Sequence, residues 1–304
     1  MFYKRKKIIN IDCLSYSGAT WINLVLGSNN KSLYLGPPQK LFSANNDKLC
    51  LICEECELWK KIKFLNKNII SSIFKEANIT HLFTNNANKD FKKKSNIFFY
   101  KTYEILLLRD GRAITLSFFK KNKKKINYFN SIHPNGWFYH SFQNLPDLNK
   151  YKHLVVKYEN ICLEPIKYFK VISDYVDIDF TRSQLKFWEK EHHLITGNQG
   201  PIEVIKNFQK SKKIPYRLSR ENEKHTNVPD ISKNFSKIWK KQITSEQRFF
   251  FDLILGEKNQ NLGYERDHFT KKQVSKYLNL YKKRVVSGIF EKLPNEILEN
   301  YLSK

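Results

Sequence analysis

The sequence predicts an α/β fold in which helices flank a central parallel sheet and the C-terminal portion is helical. Short apolar strand patterns alternate with helical patterns up to Thr181, as they do when each strand is followed by a crossover helix. The run of residues 105–108 (Ile-Leu-Leu-Leu) is apolar throughout, which is typical of a central strand covered on both faces. Beyond Thr181 the apolar residues recur at helical spacing.

The predicted elements follow in a regular order along the chain. Strands are predicted at residues 7–13, 79–83, 103–109 and 153–158, and helices at 18–26, 112–121 and 165–175. Pro165 supports the last of these helices because proline is favoured in the first helical turn. Further helices are predicted at 232–241, 244–255 and 271–286, and long loops at 34–60, 120–150 and 197–230. Neither an internal repeat nor a Gly/Ser linker divides the chain, so we expect a single domain over residues 1–304 with a helical extension over 265–304.

Composition excludes several classes of protein. Hydrophobic residues make up 41% of the 304 residues, which is enough for a packed core and too many for a disordered chain. No apolar stretch approaches the roughly 20 residues of a membrane-spanning helix. Asn10 and Asp12 interrupt the apolar run that follows the basic start, so we expect no leader peptide and a cytoplasmic protein.

The charge balance is strongly basic, with 54 Lys+Arg against 29 Asp+Glu and a net charge of +25. Only nine of these basic residues are arginine, the residue that nucleic-acid readers use for bidentate base contacts. We therefore expect no specific nucleic-acid partner, although a basic nucleic-acid-binding protein stays an alternative. The positive field would attract an anionic substrate.

A candidate anion site follows the first predicted strand, at residues 17–21 (Ser-Gly-Ala-Thr-Trp). A strand, a tight glycine turn and a helix N-terminus direct several backbone N–H groups and a positive dipole end toward one spot. Compared with the nucleotide-triphosphate loop G-x-x-x-x-G-K-[ST], Cys13 replaces the first glycine and Ala19 replaces the lysine. The alternative is an ordinary strand-to-helix turn with Ser17 as the N-cap.

A second candidate site lies at the end of the predicted central strand. Arg109 is at the carboxyl end of that strand, and Ser117 is on the helix that follows. A guanidinium and a hydroxyl that converge there would hold a second phosphate.

Together these motifs resemble the sulfotransferase family that uses 3′-phosphoadenosine 5′-phosphosulfate (PAPS). Residues 17–21 resemble the 5′-phosphosulfate loop of that family, and R-D-x-R-A-x-x-x-S from Arg109 to Ser117 resembles its 3′-phosphate motif. Weaker similarities follow in the family's order at residues 156–160, 164–165, 193–198, 238–239 and 262–264. The resemblance extends from about residue 8 to about residue 265.

The resemblance implies a P-loop-like, sulfotransferase-type fold and an enzyme that moves a sulfuryl group from PAPS to an acceptor hydroxyl or amine. The acceptor would be a small molecule, a glycan or a lipid, and 3′-phosphoadenosine 5′-phosphate (PAP) would be the other product. Arg109 and Ser117 would hold the 3′-phosphate, and Thr20 would also donate to the transferred group. The 5′-phosphosulfate would be held by the first loop, that is by Ser17, Gly18, Ala19, Thr20 and Trp21, although helix packing is the alternative role for Trp21. His81, His133 and His140 are candidates for the base that takes the acceptor's proton, and His140 is favoured.

Two positions depart from the family's pattern. Tyr16 stands where a basic residue usually precedes the loop, and Lys101 or Lys157 could replace that cation. Asn85 follows the strand whose end should lie near the acceptor, and an asparagine cannot act as a general base. The alternatives are therefore a degenerate nucleotide-binding relative without turnover and a P-loop kinase-like protein that requires Mg²⁺.

The cysteines at 50, 53 and 56 are spaced to turn around one metal, but structural zinc needs four ligands. His81 or Asp47 could be the fourth. The favoured interpretation is a reduced cysteine-rich loop with no metal, while Cys13 and Cys162 pack as small apolar residues. His193 is expected to stabilise the fold or the wall of the site.

Overall fold

The computed structural model describes residues 6–42, 50–63, 69–87, 89–94, 99–122, 127–212 and 239–303. These residues form two compact units. Unit 1 draws its described residues from Met1–Cys13, Ser17–Leu107 and His153–Lys233, and unit 2 from Leu14–Tyr16, Leu108–Lys152 and Asn234–Lys304. The single domain and its extension over 265–304 stay predictions.

Unit 1 is built on a five-stranded parallel sheet with strand order β2-β3-β1-β4-β5. The strands are β1 (Lys7–Cys13), β2 (Ser32–Tyr34), β3 (His81–Asn85), β4 (Lys101–Leu108) and β5 (Leu154–Lys157). The predicted fold class, a parallel sheet flanked by helices, is confirmed. Strand β2 was not predicted, because three residues are too few for a periodic pattern.

The centre of the sheet is apolar, as the sequence predicts. Ile8, Ile9 and Ile11 of β1 are fully buried, and so are residues 105–107 of the neighbouring strand β4. The strand predicted at 79–83 lies two residues further along, at His81–Asn85, and Asn78 before it has a left-handed backbone at φ 50°.

The helices of both units follow in chain order. They are α1 (Ala19–Leu26), α2 (Glu57–Lys63), α3 (Ile69–Glu76), α4 (Lys89–Lys94), α5 (Gly111–Asn122), α6 (Tyr128–Ile132), α7 (Trp137–Gln143), α8 (Tyr158–Leu163), α9 (Pro165–Tyr175), α10 (Gln199–Ser211), α11 (Ser245–Asn261), α12 (Lys271–Val286) and α13 (Asn295–Leu302). Pro165 is the first residue of α9, which confirms the predicted start of that helix. None of the helices in the described ranges is long and apolar enough to cross a membrane.

The three segments predicted as loops were partly wrong. Residues 34–60 contain most of α2, residues 120–150 contain α6 and α7, and residues 197–230 contain α10. Each of these helices has one buried apolar stripe, as in α10, where Ile202 and Ile205 are buried. Of the helix predicted at 232–241, residues 232–238 lie outside the described residues.

Unit 2 is helical and packs around aromatic rings. The ring of Phe129 on α6 stacks on Phe290 at 4.2 Å between centroids and meets Phe250 of α11 edge-on at 5.1 Å. Thr244 begins α11 with a capping box, in which its side chain accepts from the backbone of Gln247 and the Gln247 side chain reaches back. α11 continues to Asn261, six residues beyond the predicted end at 255.

Candidate functional site

The loop between β1 and α1 carries the first predicted anion site. Gly18 is the N-cap of α1, with a left-handed backbone at φ 92° and no side-chain cap. The expectation that Ser17 caps the helix was therefore wrong, because Ser17 lies one residue before the capping position. Ser17 is only 1% exposed, and its hydroxyl has no hydrogen-bond partner among the described residues. Because buried hydroxyl groups are normally hydrogen-bonded, an unpaired one can donate to a bound anion.

Gly18 is required by its surroundings as well as by its backbone. A Cβ at this position would lie 2.3 Å from Cε2 of Tyr158, the first residue of α8. The first turn of α1 contains no acidic residue that would neutralise the positive end of its dipole. Ala19 and Thr20 are both buried in this turn.

Thr20 is held in a hydrogen-bonded chain within unit 1. The backbone N–H of Asn198 donates to Thr20 Oγ1 over 3.0 Å. The hydroxyl of Tyr34 donates to Oδ1 of Asn85 over 2.8 Å. Burial raises the pKa of Tyr34 above its usual range, and a side-chain hydrogen bond with Thr20 acts in the opposite direction. Asn85 thus serves as an acceptor for a buried phenol.

Trp21 packs in the interior of unit 1. Its ring meets Tyr158 edge-on at 6.1 Å and Phe169 at 5.7 Å. These contacts correspond to helix packing, the alternative role given for Trp21 from the sequence.

Lys101 and Lys157, the two lysines proposed to supply the cation that Tyr16 lacks, lie at opposite ends of the parallel strands. Lys101 pairs with Lys7, whereas Leu107 pairs with Cys13 beside the loop. At about 3.3 Å per residue, Lys101 is roughly 20 Å from the carboxyl ends of these strands. The prediction that Lys101 replaces the missing cation was therefore wrong. Lys157 is the last residue of β5, at the same strand ends as the loop, and it directly precedes Tyr158.

Unit 2 contains the second predicted phosphate site. Arg109 Nη1 donates to the backbone carbonyl of Tyr16 over 2.6 Å, and Tyr16 has a left-handed backbone at φ 69°. The Tyr16 ring meets Phe118 edge-on at 6.0 Å, and Lys121 Nζ lies 5.8 Å from its centroid. Ser117 Oγ, on α5, donates to the carbonyl of Ala113 over 2.9 Å. Arg109 and Ser117 are both half-buried.

The second arginine of the R-D-x-R motif has a different role, which the sequence analysis missed. Arg112 is buried and donates to both carboxylate oxygens of Asp110, at 3.0 and 2.7 Å, and to Asp267 at 2.7 Å. Burial lowers the pKa of Arg112, but the hydrogen bonds and charges of the two aspartates outweigh it and raise that pKa. Arg112 is therefore a charged structural residue, and no local signal indicates Asp267.

The three candidate bases lie in different surroundings. His140 is exposed on α7, rather than in a loop as expected, because residues 137–143 form a helix. His133 is buried; its Nδ1 accepts from the backbone of Asn135, and its Nε2 lies 3.3 Å from the Lys292 carbonyl. His81 is buried in β3, 3.4 Å from Ser32 Oγ. Of the three, His140 alone is open to solvent.

The cysteine loop meets a histidine from a distant part of unit 1. The thiols of Cys50, Cys53 and Cys56 and the ring of His193 place their ligand atoms within 4.8 Å of one another. His81 is not a member of this group, so its proposed role as the fourth ligand was wrong, and Asp47 lies outside the described residues. All five cysteines are free thiols.

Comparisons with known proteins identify the fold. No protein-family model matches the chain, and no curated protein matches it. The sulfotransferase domain from the curacin biosynthetic pathway matches 86% of this chain and 99% of its own length, at 14% identity and a TM-score of 0.51. The sulfotransferase domain of the Synechococcus PCC 7002 olefin synthase matches 86% of this chain and 96% of its own, at 15% identity and a TM-score of 0.49.

The chain therefore has the sulfotransferase-type α/β fold, and the resemblance drawn from its motifs is confirmed for the fold. At 14% identity the match shows the fold alone, so a proposal about activity has to rest on the residues of the candidate site.

Proposed function

We propose that this chain is a sulfotransferase that moves a sulfuryl group from PAPS to an acceptor hydroxyl or amine. The observation that carries the proposal is the loop of unit 1. In this loop the N-cap residue Gly18 has a left-handed backbone and lies so close to Tyr158 that a Cβ would not fit. The loop belongs to a sulfotransferase-type fold.

The residues of this loop fit a 5′-phosphosulfate. The first N–H groups of a helix have no intrahelical partner, so those at the start of α1 are available to an anion. The buried hydroxyl of Ser17, which has no partner among the described residues, would add a side-chain donor. Lys157 is the proposed replacement for the basic residue that Tyr16 displaces, because it ends β5 beside Tyr158.

Arg109 and Ser117 are proposed to hold the 3′-phosphate. The Arg109 guanidinium carries a permanent charge and uses Nη1 for the carbonyl of Tyr16. The Ser117 hydroxyl donates to Ala113 here and would rotate about its Cβ–Oγ bond to donate to a phosphate. Trp21 packs on Tyr158 and Phe169 and would support the loop rather than contact the nucleotide.

When bound, PAPS supplies an activated sulfuryl group for an in-line displacement by the acceptor. The chain would contribute position and charge stabilisation, chiefly through the N–H groups at α1 and the hydroxyl of Thr20. His140 is proposed to take the proton that the acceptor loses, because it is exposed while His81 and His133 are buried. The acceptor class (small molecule, glycan or lipid) and a cytoplasmic location stay predictions.

The direct test is transfer of labelled sulfuryl from PAPS to panels of small alcohols, amines, glycans and lipids. We expect transfer at a rate that added Mg²⁺ does not change, because the proposed site uses backbone dipoles and side chains instead of a metal bridge between phosphates. Phosphoryl transfer from ATP with a strict Mg²⁺ requirement would replace this proposal with a kinase. Binding of PAP without transfer to any acceptor would identify a nucleotide-binding relative that has lost catalysis.

A further inference from the structure

We propose that Cys50, Cys53, Cys56 and His193 bind one zinc ion, which joins two distant segments of unit 1. Three thiols and one imidazole are a set typical of structural zinc sites. Their ligand atoms converge, since the Sγ atoms of Cys56 and Cys53 lie 3.2 and 3.7 Å from Nδ1 of His193.

The separations fit a tetrahedral ion. With Zn–S bonds of about 2.3 Å and Zn–N bonds of about 2.0–2.1 Å, the ligand atoms of a tetrahedral site lie about 3.5–3.8 Å apart. The four ligand atoms here all lie within 4.8 Å of one another, so small side-chain rotations would complete the tetrahedron. Iron–sulfur clusters also use cysteine, but their ligands bind different iron atoms and must lie further apart.

The groups around the four side chains are those that orient zinc ligands. The backbone N–H of Cys53 donates to Sγ of Cys50 over 3.4 Å. Nε2 of His193, on the side of the ring away from the thiols, lies 3.2 Å from a carboxylate oxygen of Glu191. A carboxylate at the second ring nitrogen directs the first toward a metal and makes it more basic. Trp59 Nε1 holds the backbone of the same histidine by donating to its carbonyl over 2.9 Å.

The position of the group favours a structural ion over a catalytic one. Cys50 and Cys56 are buried, while Cys53 and His193 are half-buried. Four protein ligands fill the coordination shell of zinc and leave no position for a substrate or reactive water. The ion would therefore stabilise the fold.

The two segments that the ion would join already contact each other through a backbone hydrogen bond. The backbone N–H of Leu51 donates to the carbonyl of Leu194 over 2.9 Å, beside the two halves of the site. From His193 the chain continues to Asn198, which donates to Thr20. A zinc ion at His193 would thus anchor the segment that contacts the proposed 5′-phosphosulfate loop, although the metal site itself does not depend on the proposed function.

The test begins with metal analysis of the full chain, produced without an oligohistidine tag in zinc-supplemented medium. We expect one zinc ion per chain after gel filtration. Cys53→Ser and His193→Gln should lose the ion, whereas His193→Cys should retain it, because four cysteines also form a structural zinc site. Cys13→Ala and His81→Gln, which change a thiol and an imidazole of the same unit outside the cluster, should retain it as well. Loss of zinc should also lower the melting temperature, since metal binding is coupled to folding.

The wild-type chain provides a test that does not depend on the folding of variants. Alkylation under native conditions, mapped by mass spectrometry, should leave Cys50, Cys53 and Cys56 unmodified until a chelator removes the metal. Replacement of the zinc by Co²⁺ should produce the visible absorption of tetrahedral cobalt thiolate. A wild-type chain without zinc, zinc that persists in both Cys53→Ser and His193→Gln, bound iron, or a disulfide among the three cysteines would overturn the proposal.

Discussion

Asn198 donates its backbone N–H to Oγ1 of Thr20 over 3.0 Å and so connects the N-cap of α10 to the first turn of α1. Gly197 makes this approach possible, because a Cβ there would lie 3.0 Å from Cγ2 of Thr20 and 2.8 Å from Leu194. The segment 193–198 (His-Leu-Ile-Thr-Gly-Asn), one of the weaker similarities in the sequence, therefore has a physical role. Its glycine and asparagine contact Thr20, while its histidine belongs to the cysteine group.

Thr20→Ala should reduce turnover on the order of 10²-fold, because it removes a donor to charge that shifts during transfer. The loss of stability should be smaller, about 1 kcal/mol, because Asn198 is exposed and water can reach its N–H. Steady-state kinetics and urea denaturation measure the two effects. Thr20→Ser keeps the hydroxyl and is the matched control. Unchanged kinetics in the alanine variant would show that the loop is structural.

Gly18→Ala should destabilise the chain and abolish PAP binding. The left-handed backbone at φ 92° costs a residue with a Cβ about 1–3 kcal/mol, and the Tyr158 ring would also have to move. Denaturation curves and a PAP-induced thermal shift are the measurements. Gly200→Ala, at a helical position where a Cβ would meet its first neighbour at 3.8 Å, is the control and should be tolerated. Equal tolerance of both substitutions would contradict the close packing at Gly18.

Arg109→Ala should remove the preference for a 3′-phosphate. In the wild type, PAP should raise the melting temperature more than 5′-AMP at equal concentration, because AMP lacks that phosphate. A ligand at about 100 times its dissociation constant adds about 2.7 kcal/mol. Each kcal/mol moves the melting temperature of a chain of this size by roughly 2–4 °C, so the difference should be several degrees. Thermal-shift curves with both nucleotides, and with ATP plus Mg²⁺, test this. A larger shift with ATP and Mg²⁺ would contradict the PAPS assignment.

Arg112→Ala should act on stability instead of nucleotide preference. It removes the guanidinium that pairs with the buried Asp110 and the largely buried Asp267, and removal of one member of a buried ion pair costs about 3–5 kcal/mol. Urea denaturation of the Arg109→Ala and Arg112→Ala variants side by side is the measurement. A larger loss of unfolding free energy in Arg109→Ala would reverse the roles assigned to the two arginines.

His140→Gln should lower turnover by about 10²–10⁴-fold, the range for loss of a general base, with little change in melting temperature because the side chain is exposed. His268→Gln, at another exposed histidine of unit 2, is the control. If His140→Gln retains the full rate, the base lies elsewhere.

Local pattern was sufficient for the fold class, for four of the five strands and for five of the thirteen helices that the described residues form. The apolar run at 105–108 predicted a central strand, and Pro165 marked the start of α9. Such signals are readable because they lie in neighbouring residues: burial on both faces gives a continuous apolar run, burial on one face gives a periodic pattern, and proline is favoured in a first helical turn. The glycine turn before α1 was readable for the same reason, since Gly18 and its helix are adjacent in the chain. The short strand β2 was too brief to carry a period.

The long-range partners of the candidate site residues and of Arg112 were decided by the tertiary structure alone. His193 is 137 residues from Cys56, Asn198 is 178 from Thr20, and Asp267 is 155 from Arg112. No spacing rule connects such pairs, because the crossover helices and the strand order determine which distant segments become neighbours. The sequence by itself therefore determined the parallel α/β architecture and the position of the glycine turn before α1. Folding decided that His193 joins the cysteines, that Arg112 is structural, and that Thr20 contacts Asn198.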